Sequence, residues 1–369
     1  MSFTSDSYSN IGVPRVYCDV IQYARELDVI DLIYEDTSRL VPNDSLAMWD
    51  MNPCNVAHHV LSGENTDGAI QFYARMRNET GDLYENLQLK YLFMNCNYGA
   101  LLGHNISQSD IHRYVESKAQ QGYASQSSVL GHNTVRQNIG TNIWKINHWV
   151  SSTYDLTDLQ YFNRIGFKIN RGTGGKLWEA GEVIKIGAFS TGKFMDLPHN
   201  AEINTNTGFD FSGVLRQKTI SGDTLTRIKY KRPKWGDFSP FTNTSLTYGQ
   251  EDVQGKIENN NFYDVSMQGR RTWDLSFKFI SKEDMFPKVF GKSMVGDYET
   301  ASGSPTFDAD DSILSTWAQL TFGFSLNFLF QPDNTKLDFA MVKGDKSSIK
   351  ITQDTPTSYT FKIRLIEQF

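Results

Sequence analysis

The last hundred residues of the chain repeat one pattern three times, and this pattern restricts the fold more than any other feature. In residues 272–279, Trp273 and Phe277 belong to an apolar set that alternates with polar residues. Residues 322–330 place four phenylalanines and one leucine at alternate positions, and residues 359–365 alternate in the same way. Such alternation is typical of a strand that buries one face. The pattern therefore predicts an antiparallel sheet over a shared core.

The aromatic residues of these strands are the predicted scaffold, either inside the core or against a neighbouring subunit. Five of them carry this prediction: Trp273, Phe277, Phe324, Phe328 and Phe361. Aromatic residues make up 13% of the chain, which favours strands over helices. A length of 369 residues exceeds one typical core, so two domains are expected, with large all-β domains as the exception.

Upstream segments also predict strands, from alternation or from short apolar runs. They are residues 15–23, 70–76, 141–150, 161–169 and 182–189. Residues 87–102 are almost continuously apolar and suit either a buried strand pair or a helix. Residues 107–128 are polar and rich in glutamine, which predicts a helical or irregular excursion. Residues 312–320 carry one apolar stripe and predict a helix.

Charge and cysteine content restrict the classes of partner. The net charge of −6 carries no electrostatic footprint for nucleic acid, and no apolar run is long enough for a membrane helix. Residues 1–13 show no secretory signal pattern. Cys18, Cys54 and Cys96 are odd in number and widely spaced, which predicts buried thiols and synthesis in a reducing cytoplasm.

No arrangement of residues predicts a catalytic, cofactor or metal site. Residues 172–176 resemble a phosphate loop, but Leu177 follows the lysine and a strand comes next, so we interpret them as a turn. His58 and His59 are adjacent, and neighbouring side chains of a strand point to opposite faces. Enzymatic activity is therefore not predicted.

A cluster of acidic residues precedes the predicted helix. It consists of Asp308, Asp310 and Asp311. Closely spaced carboxylates suit calcium, but the glycine and the distal glutamate of a calcium loop are missing. Because carboxylates also cap helix N-termini, we predict a helix cap.

Exposed aromatic residues could bind a glycan, since sugars stack on aromatic rings. Trp149 and Trp178 lie near predicted loops and are the main candidates, followed by Tyr154 and Trp235. An interior or interface position is the more common role of such residues. The sequence leaves both roles open.

The C-terminal third resembles a family of phage proteins. The motifs are GRRTWDLSF at residues 269–277, SKEDMFP at 281–287, and FLFQPDN at 328–334, followed by Phe339 and the closing strand. These stretches are similar to tail-tip and baseplate proteins of tailed bacteriophages, the distal tail proteins of marine and environmental phages in particular.

The middle of the chain looks like the galactose-binding-like jelly roll that such proteins often carry. Its motifs are LLGHN at 101–105, the run at 162–169, IKIG at 184–187, MDLPH at 195–199 and PKWGD at 233–237. Their order along the chain carries the resemblance more than any single motif.

The expected fold is mainly β, built of antiparallel β-sandwiches with few short helices. Residues 1–44 form an N-terminal segment that pairs with the C-terminal sheet. Residues 45–235 form the jelly-roll domain, and residues 236–369 form a ring-forming β domain.

The resemblance implies a structural virion protein at the tail tip or baseplate. Its partners would be copies of itself in a ring, commonly a hexamer, together with the tail tube and the hub or adhesion proteins. The alternative is a receptor-binding tail protein that recognises host surface glycan through the jelly roll. A glycan-degrading tail enzyme would require a suitably placed pair of carboxylates.

Overall fold

The fold is mainly β and antiparallel, as the sequence predicts. The computed structural model describes residues 12–35, 40–43, 47–52, 57–61, 70–76, 96–104, 111–117, 121–135, 139–150, 162–169, 183–202, 206–210, 214–228, 270–287, 312–335 and 339–368. The predicted turn at 172–176 and the aspartates at 308, 310 and 311 lie outside these residues, as does Cys54. Cys18 and Cys96 are buried free thiols, in agreement with the prediction for these two.

The strands of the described residues range from four to fifteen residues in length and are numbered in chain order. They are β1 (Arg15–Asp19), β2 (Ile30–Glu35), β3 (Leu40–Asn43), β4 (Ala57–Leu61), β5 (Ile70–Met76), β6 (Tyr98–His104), β7 (Ile111–Ser117), β8 (Gln121–Val135), β9 (Ile139–Val150), β10 (Phe162–Ile169), β11 (Val183–Ile186), β12 (Ala188–Asp196), β13 (Asn206–Asp210), β14 (Val214–Lys218), β15 (Thr224–Ile228), β16 (Arg270–Ser281), β17 (Phe328–Gln331), β18 (Ala340–Gly344), β19 (Lys350–Thr355) and β20 (Ser358–Glu367).

The helices are few and short. They are α1 (Val20–Glu26), α2 (Lys282–Met285), a π-helix (Ile313–Ala318) and the 3-10 segments Ala47–Trp49 and Lys346–Ser348. The π-helix confirms the helix predicted over residues 312–320. Its N-cap is Ser312, whose hydroxyl accepts a hydrogen bond from the backbone N–H of Ser315 at 3.2 Å.

Most strands belong to one sheet of fifteen. Its order is β13-β16-β20-β18-β17-β1-β12-β6-β9-β8-β7-β10-β5-β2, with β19 paired to β20. Two small sheets accompany it, β11-β4-β3 and β14-β15. Strand β1 therefore pairs with β17 of the C-terminal region and with β12 of the middle region. The domain boundaries at residues 44 and 235 stay a prediction.

The centre of the large sheet is buried on both faces. Val16 and Cys18 of β1 belong to one hydrophobic cluster, while Tyr17 between them belongs to a second cluster on the opposite face. The same division separates Phe328 and Phe330 from Leu329 in β17. Two layers of apolar side chains therefore enclose the central strands, and these strands lose the alternation of half-buried ones.

The first predicted strand is wrong beyond Asp19, because a helix begins at Val20. The Asp19 carboxylate accepts hydrogen bonds from the backbone N–H groups of Ile21 and Gln22, at 3.1 and 3.2 Å. It thereby caps the helix N-terminus. Val20, Ile21 and Ala24 are buried, so this segment has an apolar stripe of helical spacing that packs on the core.

The predicted strand at residues 322–330 is also wrong in its first half, where the chain makes a turn. Phe322, Gly323 and Phe324 have φ angles of 48°, 66° and 65°. The Thr321 hydroxyl donates to the Trp317 carbonyl at 2.6 Å and accepts from the Phe324 N–H at 2.9 Å. The turn buries Phe324, while Phe322 is exposed. The alternating phenylalanines of residues 322–326 therefore resemble a strand in the sequence, although they form the turn that ends a helix.

Two further predictions need correction. Residues 111–117 and 121–135 are strands β7 and β8, not a helical or irregular excursion. Strand β8 pairs along β9 with three register shifts. The strand predicted at 182–189 is divided into β11 and β12 by a bend at Gly187. The strands predicted at 70–76, 141–150, 161–169, 272–279 and 359–365 are confirmed.

Strand β16 contains a bulge that exposes an aromatic ring. The pairing with β20 shifts between Phe277 and Ile280, and Phe279 has a φ of 60° with 72% of its surface exposed. A left-handed conformation costs a residue with a side chain about 1–2 kcal/mol, whereas glycine adopts it readily.

We therefore expect Phe279→Gly to be about 1 kcal/mol more stable than Phe279→Ala. Both variants remove the same exposed ring, so the difference reports the backbone alone. Urea unfolding of the two variants side by side measures it. A glycine variant no more stable than the alanine variant would contradict the prediction.

Candidate assembly surfaces

The five scaffold aromatics lie together in one hydrophobic core: Trp273, Phe277, Phe324, Phe328 and Phe361. The rings of Phe277 and Phe361 stack across β16 and β20 with centroids 6.4 Å apart. Trp317 of the π-helix lies edge-on to three other rings: those of Phe324, Phe328 and Phe361, at 4.9, 5.5 and 5.9 Å. Because these side chains are buried within the chain itself, they pack its core and leave little surface for contact with another molecule.

Of the two tryptophans predicted to contact glycan, Trp149 lies in the described part of the chain. Trp149 is on strand β9, where its backbone is paired with Ala124 of β8. Trp178, Tyr154 and Trp235 lie outside the described residues. Glycan contact by Trp149 and Trp178 stays a prediction.

Asp19 is a buried acidic residue, and no pattern in the sequence predicts its burial. Besides capping α1, its carboxylate accepts a hydrogen bond from the backbone N–H of Thr191 at 3.3 Å and so connects β1 with β12. Burial disfavours the charged form and raises the pKa of Asp19 to about 7, against the opposing effect of three N–H donors and the charge of Arg25. This arrangement suits a structural cap that exchanges a proton near neutral pH.

A pH dependence of stability follows from this carboxyl. An aspartate in an unfolded chain has a pKa of about 3.9. Between about pH 4 and pH 7 the folded chain keeps a proton that the unfolded chain releases. The free energy of unfolding should therefore fall as pH rises through this window, by up to about 1.4 kcal/mol per pH unit. Above the folded pKa this stabilisation is lost.

Asp19→Asn should remove this dependence, because an amide keeps an acceptor oxygen for the cap and cannot ionise. Urea unfolding of both proteins at several pH values, with the difference taken at each, cancels the other titrating groups. Parallel curves for the two proteins would contradict the prediction.

A buried ion pair connects strands β16 and β20 of the C-terminal core. Arg271 of β16 and Glu367 of β20 are each 3% exposed. A terminal nitrogen (Nη2) of Arg271 lies 3.0 Å from Glu367 Oε1 and also donates to the Phe339 carbonyl at 2.7 Å. The Arg271 guanidinium lies 5.1 Å from the centre of the Trp273 ring. The pair holds three segments together in a place that excludes water.

The ends of the large sheet are open in the described part of the chain. Strand β13 stands at one end and pairs with β16, and β2 stands at the other and pairs with β5. The outer side of each has no paired strand among the described residues. Strand β19 carries six exposed residues beside β20. Open strands expose backbone donors and acceptors that can pair with another chain.

A hairpin of residues 214–228, here called the arm, follows directly after the end strand β13. Its strands β14 and β15 pair with each other and with no other strand of the described chain. The tip is closed by hydrogen bonds from Thr219 N–H to the Asp223 carbonyl and from Gly222 N–H to the Thr219 carbonyl, at 2.8 and 3.0 Å. Ile220 at the tip is fully exposed, and Leu225 is 61% exposed.

The described residues were compared with two requirements: a cluster of side chains that could bind a metal ion, and a helix that could cross a membrane. These residues bring together no group of three or more His, Cys, Asp or Glu side chains suited to a metal ion. Among the described helices, none is both long enough and apolar enough to cross a membrane.

These features define the class of this protein: it is mainly β, with an antiparallel sheet that is enclosed on both faces at its centre and a separate two-stranded hairpin. No protein-family model matches the chain, and no curated protein matches it.

Proposed function

We propose that this chain is a structural subunit of the tail tip or baseplate of a tailed bacteriophage. Copies of it form a ring, a hexamer in the simplest case, that connects the tail tube with the hub or adhesion proteins. Sequence motifs in the C-terminal third and their order along the chain suggest this family. The protein would be synthesised in the host cytoplasm and reside in the virion.

One structural observation supports the proposal most directly. The centre of the large sheet is buried on both faces, and the strand at each end has no partner on its outer side among the described residues. A subunit that contacts identical neighbours through two different surfaces can close into a ring. A sheet that ends in β13 on one side and in β2 on the other offers such a subunit two different contact surfaces.

Electron microscopy tests the proposal at two levels. Purified protein should form closed rings, with a mass six times the 42.0 kDa of the chain if the ring is a hexamer. Antibodies against the chain should label the end of the tail on intact virions. Labelling confined to capsids, or found only in the lysate outside virions, would contradict the proposal.

A further inference from the structure

The arm begins a basic stretch of the chain that continues to residue 235. Residues 214–235 contain seven basic residues and one acidic residue, although the whole chain has a net charge of −6. Gln217 and Lys218 are exposed, as is the apolar tip residue Ile220. A two-stranded hairpin on its own is marginally stable in water. The arm therefore has a basic charge and, in the described part of the chain, strand edges without a partner, so it would gain stability from a docking partner.

The opposite end of the sheet has the complementary charge. Residues 25–36, which include the end strand β2, contain five acidic residues and one basic residue. Glu26 and Asp28 are exposed at the turn before β2, with Leu27 between them 39% exposed. An acidic strand whose outer edge has no partner strand among the described residues, with an exposed apolar residue beside it, matches a basic hairpin with an apolar tip.

The positions of the two features favour contact between copies. The arm leaves the sheet next to β13, and β2 is the last strand at the other end of the same sheet. A contact between two different surfaces of one chain is heterologous, and repetition of such a contact produces a ring or a filament.

We propose that the arm of one subunit docks on strand β2 of the next, adding its strands to the sheet edge. Opposite charges orient the contact, and the apolar tip packs near Leu27. This inference rests on the self-assembly within the proposed function and identifies the surfaces that perform it.

Charge reversal in the arm tests the contact. The variant Arg216→Glu/Lys218→Glu/Arg227→Glu should raise the protein concentration needed for half-assembly by at least about tenfold, because like charges oppose each other across an interface. Analytical ultracentrifugation over a range of concentrations measures the assembly, and circular dichroism verifies folding. The control Lys282→Glu/Lys346→Glu/Lys350→Glu reverses three exposed lysines elsewhere and should assemble like the wild type.

Complementation between variants makes the test specific. A second variant, Glu26→Lys/Asp31→Lys, should also lose assembly alone. An equimolar mixture with the arm variant should recover assembly, since each interface in an alternating ring would then join opposite charges. Recovery in the mixture excludes misfolding as the cause of the loss.

The outcomes separate this inference from the proposed function. Loss in the arm variant with recovery in the mixture supports the docking contact. An arm variant that assembles like the wild type overturns the contact and leaves the ring to other surfaces. A wild type that stays monomeric at every concentration overturns both the contact and the self-assembly. Wild-type monomers that instead bind an anionic polysaccharide would assign the arm to a different partner and overturn the contact.

Discussion

Arg271→Met is expected to lower the free energy of unfolding by about 3–5 kcal/mol. The substitution leaves the Glu367 carboxylate in a place that is 3% exposed, with its partner cation removed. It also removes the donor to the Phe339 carbonyl. Since whole domains are stable by about 5–15 kcal/mol, this loss should be visible as a large shift of the urea midpoint.

The neighbouring pair Arg364 and Asp274 provides the matched control. It joins the same two strands at 3.5 Å, with both side chains about half exposed. Exposed pairs contribute about 0–1 kcal/mol, so Arg364→Met should have little effect. The double variant Arg271→Met/Glu367→Met should recover part of the loss, because the Glu367 carboxylate is no longer left without the Arg271 cation, while the Phe339 carbonyl and the Arg271 backbone N–H still lose a partner. Equal losses for Arg271→Met and Arg364→Met would contradict this account.

Trp317→Ala is expected to cost about 3–5 kcal/mol, through the cavity that it leaves. The side chain is fully buried and is edge-on to three aromatic rings of the core. Deleting it removes the common contact between the π-helix and strands β17 and β20. Urea unfolding followed by circular dichroism measures the loss without relying on tryptophan fluorescence.

Two other substitutions control for size and exposure. Trp317→Phe should cost no more than about 1.5 kcal/mol, since it keeps most of the volume. It also removes an indole N–H that has no hydrogen-bond partner among the described residues. Phe322→Ala, at a ring 41% exposed, should cost less than Trp317→Ala. A phenylalanine variant as unstable as the alanine variant would contradict the cavity explanation.

The half-buried strands could be predicted because their side chains alternate between core and solvent. Strands β16 and β20 were located on this basis, and their aromatic residues pack as one core. The same alternation also indicates the buried ion pair of Arg271 and Glu367. Arg271 is in phase with inward-facing Trp273, and Glu367 is in phase with inward-facing Leu365. Two opposite charges in inward phase on two predicted strands are a reason to expect a buried pair.

Other features depend on interactions that a local pattern does not contain. The turn at residues 322–324 arises because the Thr321 hydroxyl and a left-handed glycine end a helix within an alternating run of phenylalanines. The burial of Asp19 depends on strand β12, which follows more than 160 positions later. The order of strands in the sheet is equally non-local, so the open ends and their charges became evident only in the structure.

Strand β1 folds against partners that are far away in the sequence. Arg15 binds Asp196, 181 positions away, and the Tyr17 hydroxyl donates to Gln331, 314 positions away. Contacts this distant close long loops, and folds that depend on them form slowly. Strand β1 is synthesised before the other strands of its sheet, yet its second neighbour exists only once residue 331 has been synthesised. Strand β1 can therefore complete its pairing only after β17 has been translated, and until then the edge of β1 that faces β17 has no partner.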